Sequence, residues 1–156
     1  MGANESSAER DRGRLADRVG YELKKAQHAL RLGIDEELRE LGVTTPQYAA
    51  MSVLAEEPGL SNAQLARRSF VTPQTMNQIL ARLGASGMVE RRAHAEHGRV
   101  FQSYLTEEGQ RLLRLCHRRV FAVEEQMVSA LSDAERLRLI RALRGCAEAL
   151  GRNDSW

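Results

Sequence analysis

Two histidines and a glutamate, His94, Glu96 and His97, crowd the stretch "AHAEHGR", and Cys116 and His117 stand side by side further on. Imidazole, carboxylate and thiolate are all zinc ligands, but a closed zinc site takes about four of them. The short stretch alone leaves the set incomplete, so Cys116, His117 or a second subunit would have to finish it. The other reading is a hairpin tip: Gly98 turns the chain, Arg99 follows it, and the histidines are exposed side chains. Partly protonated below about pH 6.5, they would mildly favour a polyanion at acid pH. The hairpin reading is the one adopted, with no resident metal or cofactor, and it expects polyanion binding to survive a chelator.

No other pattern of reactive residues points to catalysis. The chain has no glycine-rich phosphate loop, no GxSxG, no HExxH and no CxxC. Its acids fall mainly on helix surfaces, as around Glu36, Arg39 and Glu40, where they support pairing between neighbouring turns. A non-enzyme is expected. Cys116 and Cys146 are too few for a disulfide framework, and a reducing compartment follows.

A chain of 156 residues suits one compact unit. The net charge of +2 carries little information by itself, but its distribution does. Residues 61–106 hold six arginines against two glutamates, while the remainder holds 17 basic and 19 acidic residues. The middle is the basic part. The polar start "MGANESSAERDRGR" has no apolar core of a signal peptide, and no apolar run approaches the ~18 residues of a membrane span. A cytoplasmic protein is expected, with residues 1–14 disordered and 151–156 a tail.

Punctuation along the chain defines the elements. Leu15, Val19, Leu23, Ala26, Leu30, Ile34, Leu38 and Leu41 recur in steps of three and four, predicting one long amphipathic helix that ends at Gly42. Thr45 as N-cap and Pro46 at the first helical position open a second helix, stopped by Pro58-Gly59. Ser61 and Gln64 form a capping box for a short third helix running to Arg67 or Arg68. Thr72 and Pro73 open a fourth, whose inward stripe is Met76, Ile79, Leu80 and Leu83 and which ends between Gly84 and Gly87. "MVERR" and "VFQSYL" then pair as a β-hairpin. Thr106 caps a long helix with apolar positions Leu112, Cys116, Val120, Val123, Met127 and Leu131, and Ser132 with Glu135 boxes a last helix along Leu137, Ile140, Leu143, Ala147 and Leu150.

The fold class is therefore mainly α with a small β-hairpin: a winged helix-turn-helix lobe at 45–106, flanked by helices at 15–42 and 107–150 whose apolar stripes call for a second copy. In such a lobe the second helix of the helix-turn-helix enters the major groove. Its outward set, Gln74, Thr75, Asn77, Gln78, Ala81 and Arg82, is polar and free of carboxylates. Amides can bond adenine at two positions, and an arginine can reach guanine or phosphate. Three features add to it: Ser61 and Thr72 at helix starts that can present amides to phosphate, Arg91 and Arg92 entering the hairpin, and Arg99 after its glycine. A winged helix used only to bind protein is the alternative. Duplex binding should fall steeply with salt, and a protein-binding wing should show no duplex affinity.

The stretch "SNAQLARRSFVTPQTMNQILARLGASGMVERR", followed by a short wing and "LTEEG", resembles the MarR family of bacterial winged-helix transcription regulators, with "TPQY" ahead of the second helix matching the family's start there. The similarity runs from about Leu15 to Leu150. It implies homodimers with intertwined first and last helices, pseudo-palindromic duplex DNA as partner, and repression relieved by a small molecule or by oxidation. On it, Gln74, Thr75, Asn77, Gln78 and Arg82 match the recognition helix and Arg99 the wing-tip arginine that enters the minor groove. His97 departs from the pattern, standing where an aspartate is common. Peroxide-sensing members use a cysteine in the first helix, and this first helix has none. The family's effector pocket, for an aromatic or phenolic molecule, nominates Tyr21, His28, Tyr48 and Met51.

Overall fold

The computed structural model describes residues 14–95, 98 and 100–151. Helix α1 spans Val19–Arg39, α2 Thr45–Glu56, α3 Asn62–Arg68 and α4 Pro73–Ala85; a hairpin of β2 (Val89–Ala93) and β3 (Phe101–Leu105) follows, then α5 (Glu107–Met127) and α6 (Asp133–Ala149). The mainly helical fold class stands, with three refinements.

First, the N-terminal helix is broken. Leu15–Asp17 form one 3-10 turn, and Arg18 is extended before α1 begins. Second, the cap of α2 is Thr44 and not Thr45. The Thr44 hydroxyl accepts from the Gln47 amide, and the Gln47 side chain accepts from the Thr44 amide at 2.9 Å. Thr45 instead donates its hydroxyl proton to Asp35 of α1 at 2.5 Å. Third, the hairpin is part of a three-stranded antiparallel sheet in the order β1-β3-β2, because Leu60–Ser61 (β1) pairs with Ser103 and Gln102.

The remaining caps lie where the sequence puts them. Ser61 and Gln64 form the capping box of α3, Thr72 accepts from the Thr75 amide with Pro73 at the first helical position, and Ser132 and Glu135 box α6. Thr106 caps α5 and also donates to the Gly87 carbonyl at 2.6 Å, tying the end of α4 to the end of the sheet.

Two apolar clusters hold these elements. One fills the central lobe, with Met51, Leu54, Leu65, Met76, Leu80 and Leu83 among its buried members; the other joins α1 to α5 through Ile34, Leu38, Val43, Cys116 and Val120. Tyr48 and Leu112 pack against both. The inward stripe of α5 is Gly109, Leu113, Cys116 and Val120, so Leu112 and Val123 are only flanking and Met127 is half exposed. Acids of α1 pair along the helix, Glu22 with Lys25 and Asp35 with Arg31, and also across it: Arg119 of α5 meets Glu37 at 2.9 Å and Glu40, just past the helix end, at 3.3 Å.

Backbone geometry singles out one residue. Phe70, in the turn between α3 and α4, has φ of 56°, alone among the described non-glycine residues in that region. For an L residue with a Cβ this costs roughly 1–2 kcal/mol.

Candidate nucleic-acid interface

Helix α4 is built to present one face. Met76, Ile79, Leu80 and Leu83 are all buried, which fixes the helix against α2 and α3. Gln74, Thr75, Asn77, Gln78, Ala81 and Arg82 are consequently all exposed. The side chains of Gln74, Asn77, Gln78 and Arg82 have no hydrogen bond or ion pair with the described residues. Thr75 differs, because its hydroxyl lies 2.9 Å from that of Thr72. The turn entering α4 is pinned from the other helix by Asn62, whose amide donates to the Pro73 carbonyl at 3.0 Å.

Ser61 and Thr72 have their hydroxyls committed to capping, and α3 is only seven residues long. They set helix starts; the free polar surface belongs to α4. Arg91 and Arg92 both sit on β2, with the guanidinium of Arg91 5.2 Å from the Phe101 ring centre and that of Arg92 4.6 Å from the Tyr104 ring centre. Arg92 also pairs with Glu90, so its charge is partly answered, while Arg91 keeps a cation on the exposed side of the wing. Arg99, His97 and Glu96 lie outside the described residues. His94 donates its backbone amide to the Val100 carbonyl at 2.8 Å, closing the hairpin as expected for a wing. Among the described residues, no three His, Cys, Asp or Glu side chains converge as a metal site would need.

The four effector nominees separate. Met51 is wholly buried in the central core. Tyr21 and His28 are exposed on α1. Tyr48 lines an open cavity of about 400 Å³ with His117, Arg118, Val120, Phe121 and Glu124. Its hydroxyl is 2.9 Å from His117 Nδ1 and the rings meet edge to face. Burial pushes the Tyr48 phenol above its usual range, so it stays protonated at neutral pH and can serve as a hydrogen-bond donor. Sequence reasoning weighed His117 only as a metal ligand and missed Arg118 and Phe121; their i, i+1 and i+4 spacing on α5 is ordinary until Tyr48 is placed opposite them.

This architecture has close counterparts. Residues 41–100 match the MarR family pattern. The HTH-type transcriptional repressor Rv2887 of Mycobacterium tuberculosis is 34% identical over 125 residues, covering 80% of this chain and 90% of that protein. The chain belongs to the MarR family. Among solved structures of MarR proteins, Rv2887 in complex with DNA aligns with a TM-score of 0.72 at 30% identity, over 83% of this chain and 97% of that one. The same protein in complex with salicylic acid aligns with a TM-score of 0.69 at 32% identity, over 83% and 96%. In the winged-helix fold of the family, β2-β3 is the wing. No helix among the described residues is long and apolar enough to cross a membrane.

Proposed function

We propose that this MarR protein is a cytoplasmic, homodimeric transcriptional repressor of double-stranded DNA operators, released by a small aromatic or phenolic acid. The observation that carries the reading is the α4 face: amides of Gln74, Asn77 and Gln78 and the guanidinium of Arg82 stand free, without a carboxylate, on a helix locked by four buried residues. Such a face reads base edges in a major groove, with Arg91 placed for phosphate and Arg99 for the minor groove on the strength of the family pattern. Release fits the cavity beside Tyr48, where a phenol donor, His117 and Arg118 face apolar Val120 and Phe121, a combination suited to an aromatic carboxylate. Because the cavity lies between α2 of the DNA-binding lobe and α5, a ligand there acts by favouring one separation of the lobes over the other.

The test is selection of bound duplexes from a random pool, followed by titration of the enriched sequence at several salt concentrations with and without salicylate. An enriched half-site pair about 10 base pairs apart, a steep fall in affinity with salt, and weaker binding in salicylate are expected. No enrichment from the pool would sink the repressor reading, and an enriched duplex indifferent to salicylate and to other phenolic acids would sink the release.

A further inference from the structure

We infer that a cavity between the wing and α5, distinct from the one beside Tyr48, is a second small-molecule site, built for an aliphatic dicarboxylate. The inference stands apart from the reading of α4 and from the release site. It starts at the pair Arg91-Arg92. Consecutive residues of a strand point to opposite faces of the sheet. The register sets Arg91 opposite Ser103 and Arg92 opposite Gln102, which puts Arg92 on the same face as its diagonal neighbour Tyr104. The two arginines therefore serve different surfaces. The guanidinium of Arg92, held 4.6 Å from the Tyr104 ring centre, lines a cavity of about 460 Å³, a volume that suits a small molecule.

Helix α5 supplies a second wall. Gln110, Arg114 and His117 follow at i, i+4 and i+7, one face of a helix, and all three line the cavity. The side chains of Gln110 and Arg114 have no hydrogen bond or ion pair with the described residues. His117 commits its Nδ1 to Tyr48, and Glu90 engages Arg92 through one terminal nitrogen, which leaves that guanidinium further donors. Leu54, Leu105 and Leu113 give the cavity an apolar backing, and no carboxylate lines it among the described residues. Two arginines on separate elements, with no acid in the lining, call for an anion whose two charges are set apart. The leucines call for a carbon chain joining them. A dicarboxylate has both features, with each carboxylate suited to a guanidinium fork, whereas phosphate concentrates its charge at one point and leaves the leucines uncovered. A dicarboxylate seated there would tie the wing to α5. His117 is the one side chain that lines both this cavity and the one beside Tyr48, whereas Arg118, the next residue, lines only the latter.

The experiment is titration calorimetry of the full chain at low salt with succinate, glutarate and adipate, and with acetate and inorganic phosphate for comparison. One of the three dicarboxylates should bind saturably, at least about tenfold more tightly than acetate or phosphate, the factor that goes with one further hydrogen bond to a charged group. Arg92→Gln and Arg114→Gln should each lose about that factor. Arg118→Gln removes the same charge from the same helix but belongs to the other cavity, so it should bind the dicarboxylate as wild type does. Ala55→Trp, at an exposed position of the cavity lining, should abolish binding by filling the space, with the circular-dichroism signal unchanged. The inference is overturned if no dicarboxylate exceeds acetate and phosphate, or if either Arg92→Gln or Arg114→Gln binds as wild type does. It is equally overturned if Arg118→Gln costs as much as Arg114→Gln, because the attraction would then belong to basic surface in general and not to this cavity.

Discussion

At the scale of single residues, the proposed reading divides labour between α4 side chains that meet bases and wing arginines that meet the backbone. Asn77 and Gln78 carry both a donor and an acceptor, and a bidentate amide pair on adenine contributes about 1–3 kcal/mol of discrimination. Asn77→Ala and Gln78→Ala should therefore relax preference at one base pair each, measured by competition among singly substituted operators. Arg91→Ala should instead weaken binding evenly across sequences and make the salt slope shallower by about one. A uniform loss from Asn77→Ala would count against its role as a base reader. The cysteines offer a separate check. Cys116 is wholly buried, and burial raises its thiol pKa, so near pH 8 it holds less thiolate than a free cysteine of pKa about 8.5. Cys146 is exposed in the protomer. Iodoacetamide should spare Cys116 in native protein and label it only after unfolding, as read by peptide mass; rapid native labelling of Cys116 would contradict the packing of α5 against α1.

At the scale of elements, junctions are more informative than helices. Gly109 lies one turn into α5, where a Cβ would run into the Met88 backbone carbonyl. That carbonyl cannot retreat, because it accepts the Thr106 amide at 3.0 Å. Gly109→Ala gains at most about 1 kcal/mol of helix propensity, and the clash, of order 1–3 kcal/mol, exceeds it. The melting temperature should fall by several degrees, at roughly 2–4 °C per kcal/mol for a chain of this size. Gly33→Ala is the control: there a Cβ meets only a Val123 methyl at 2.8 Å, a side chain that can shift, and the loss should be smaller. An equal or larger loss at Gly33 would reverse this ranking.

The same junctions show what a sequence discloses. Ser61 with Gln64, Thr72 with Pro73, and Ser132 with Glu135 are legible because a cap and its partner lie within four residues. The α4 face is legible for the same reason, since burial of Met76, Ile79, Leu80 and Leu83 follows from helical period alone. Thr44 and Thr45 both look like caps, and only the reach of Gln47 back to Thr44 decides between them. Strand β1 has two residues and exists through pairing with β3, some forty positions away by count of the chain. The wall opposite Tyr48 is likewise a product of packing between distant segments, which no local period encodes.

At the scale of the whole molecule, the protomer is incomplete by itself. Helix α6 has no buried residue, and its Leu137, Ile140 and Leu143 are each at least 44% exposed. Leu15, Val19 and Leu23 are exposed at the other terminus of the chain. Covering one such side chain contributes about 1.5–3 kcal/mol, so a stripe of them at both ends is ample to hold a second copy together. The protein should sediment at twice its 17.5 kDa chain mass. Ile140→Glu would put a carboxylate into that seam, where its desolvation opposes association. The variant should sediment as a monomer at concentrations where wild type is dimeric, with the circular-dichroism signal of its helices largely kept, because α6 buries nothing against its own lobe. Its operator affinity should fall by about 10²–10⁴, the gain that linking two half-site contacts provides. A variant that stays dimeric would place the seam elsewhere, whereas a monomer that keeps full operator affinity would show that one lobe reads the operator without its twin.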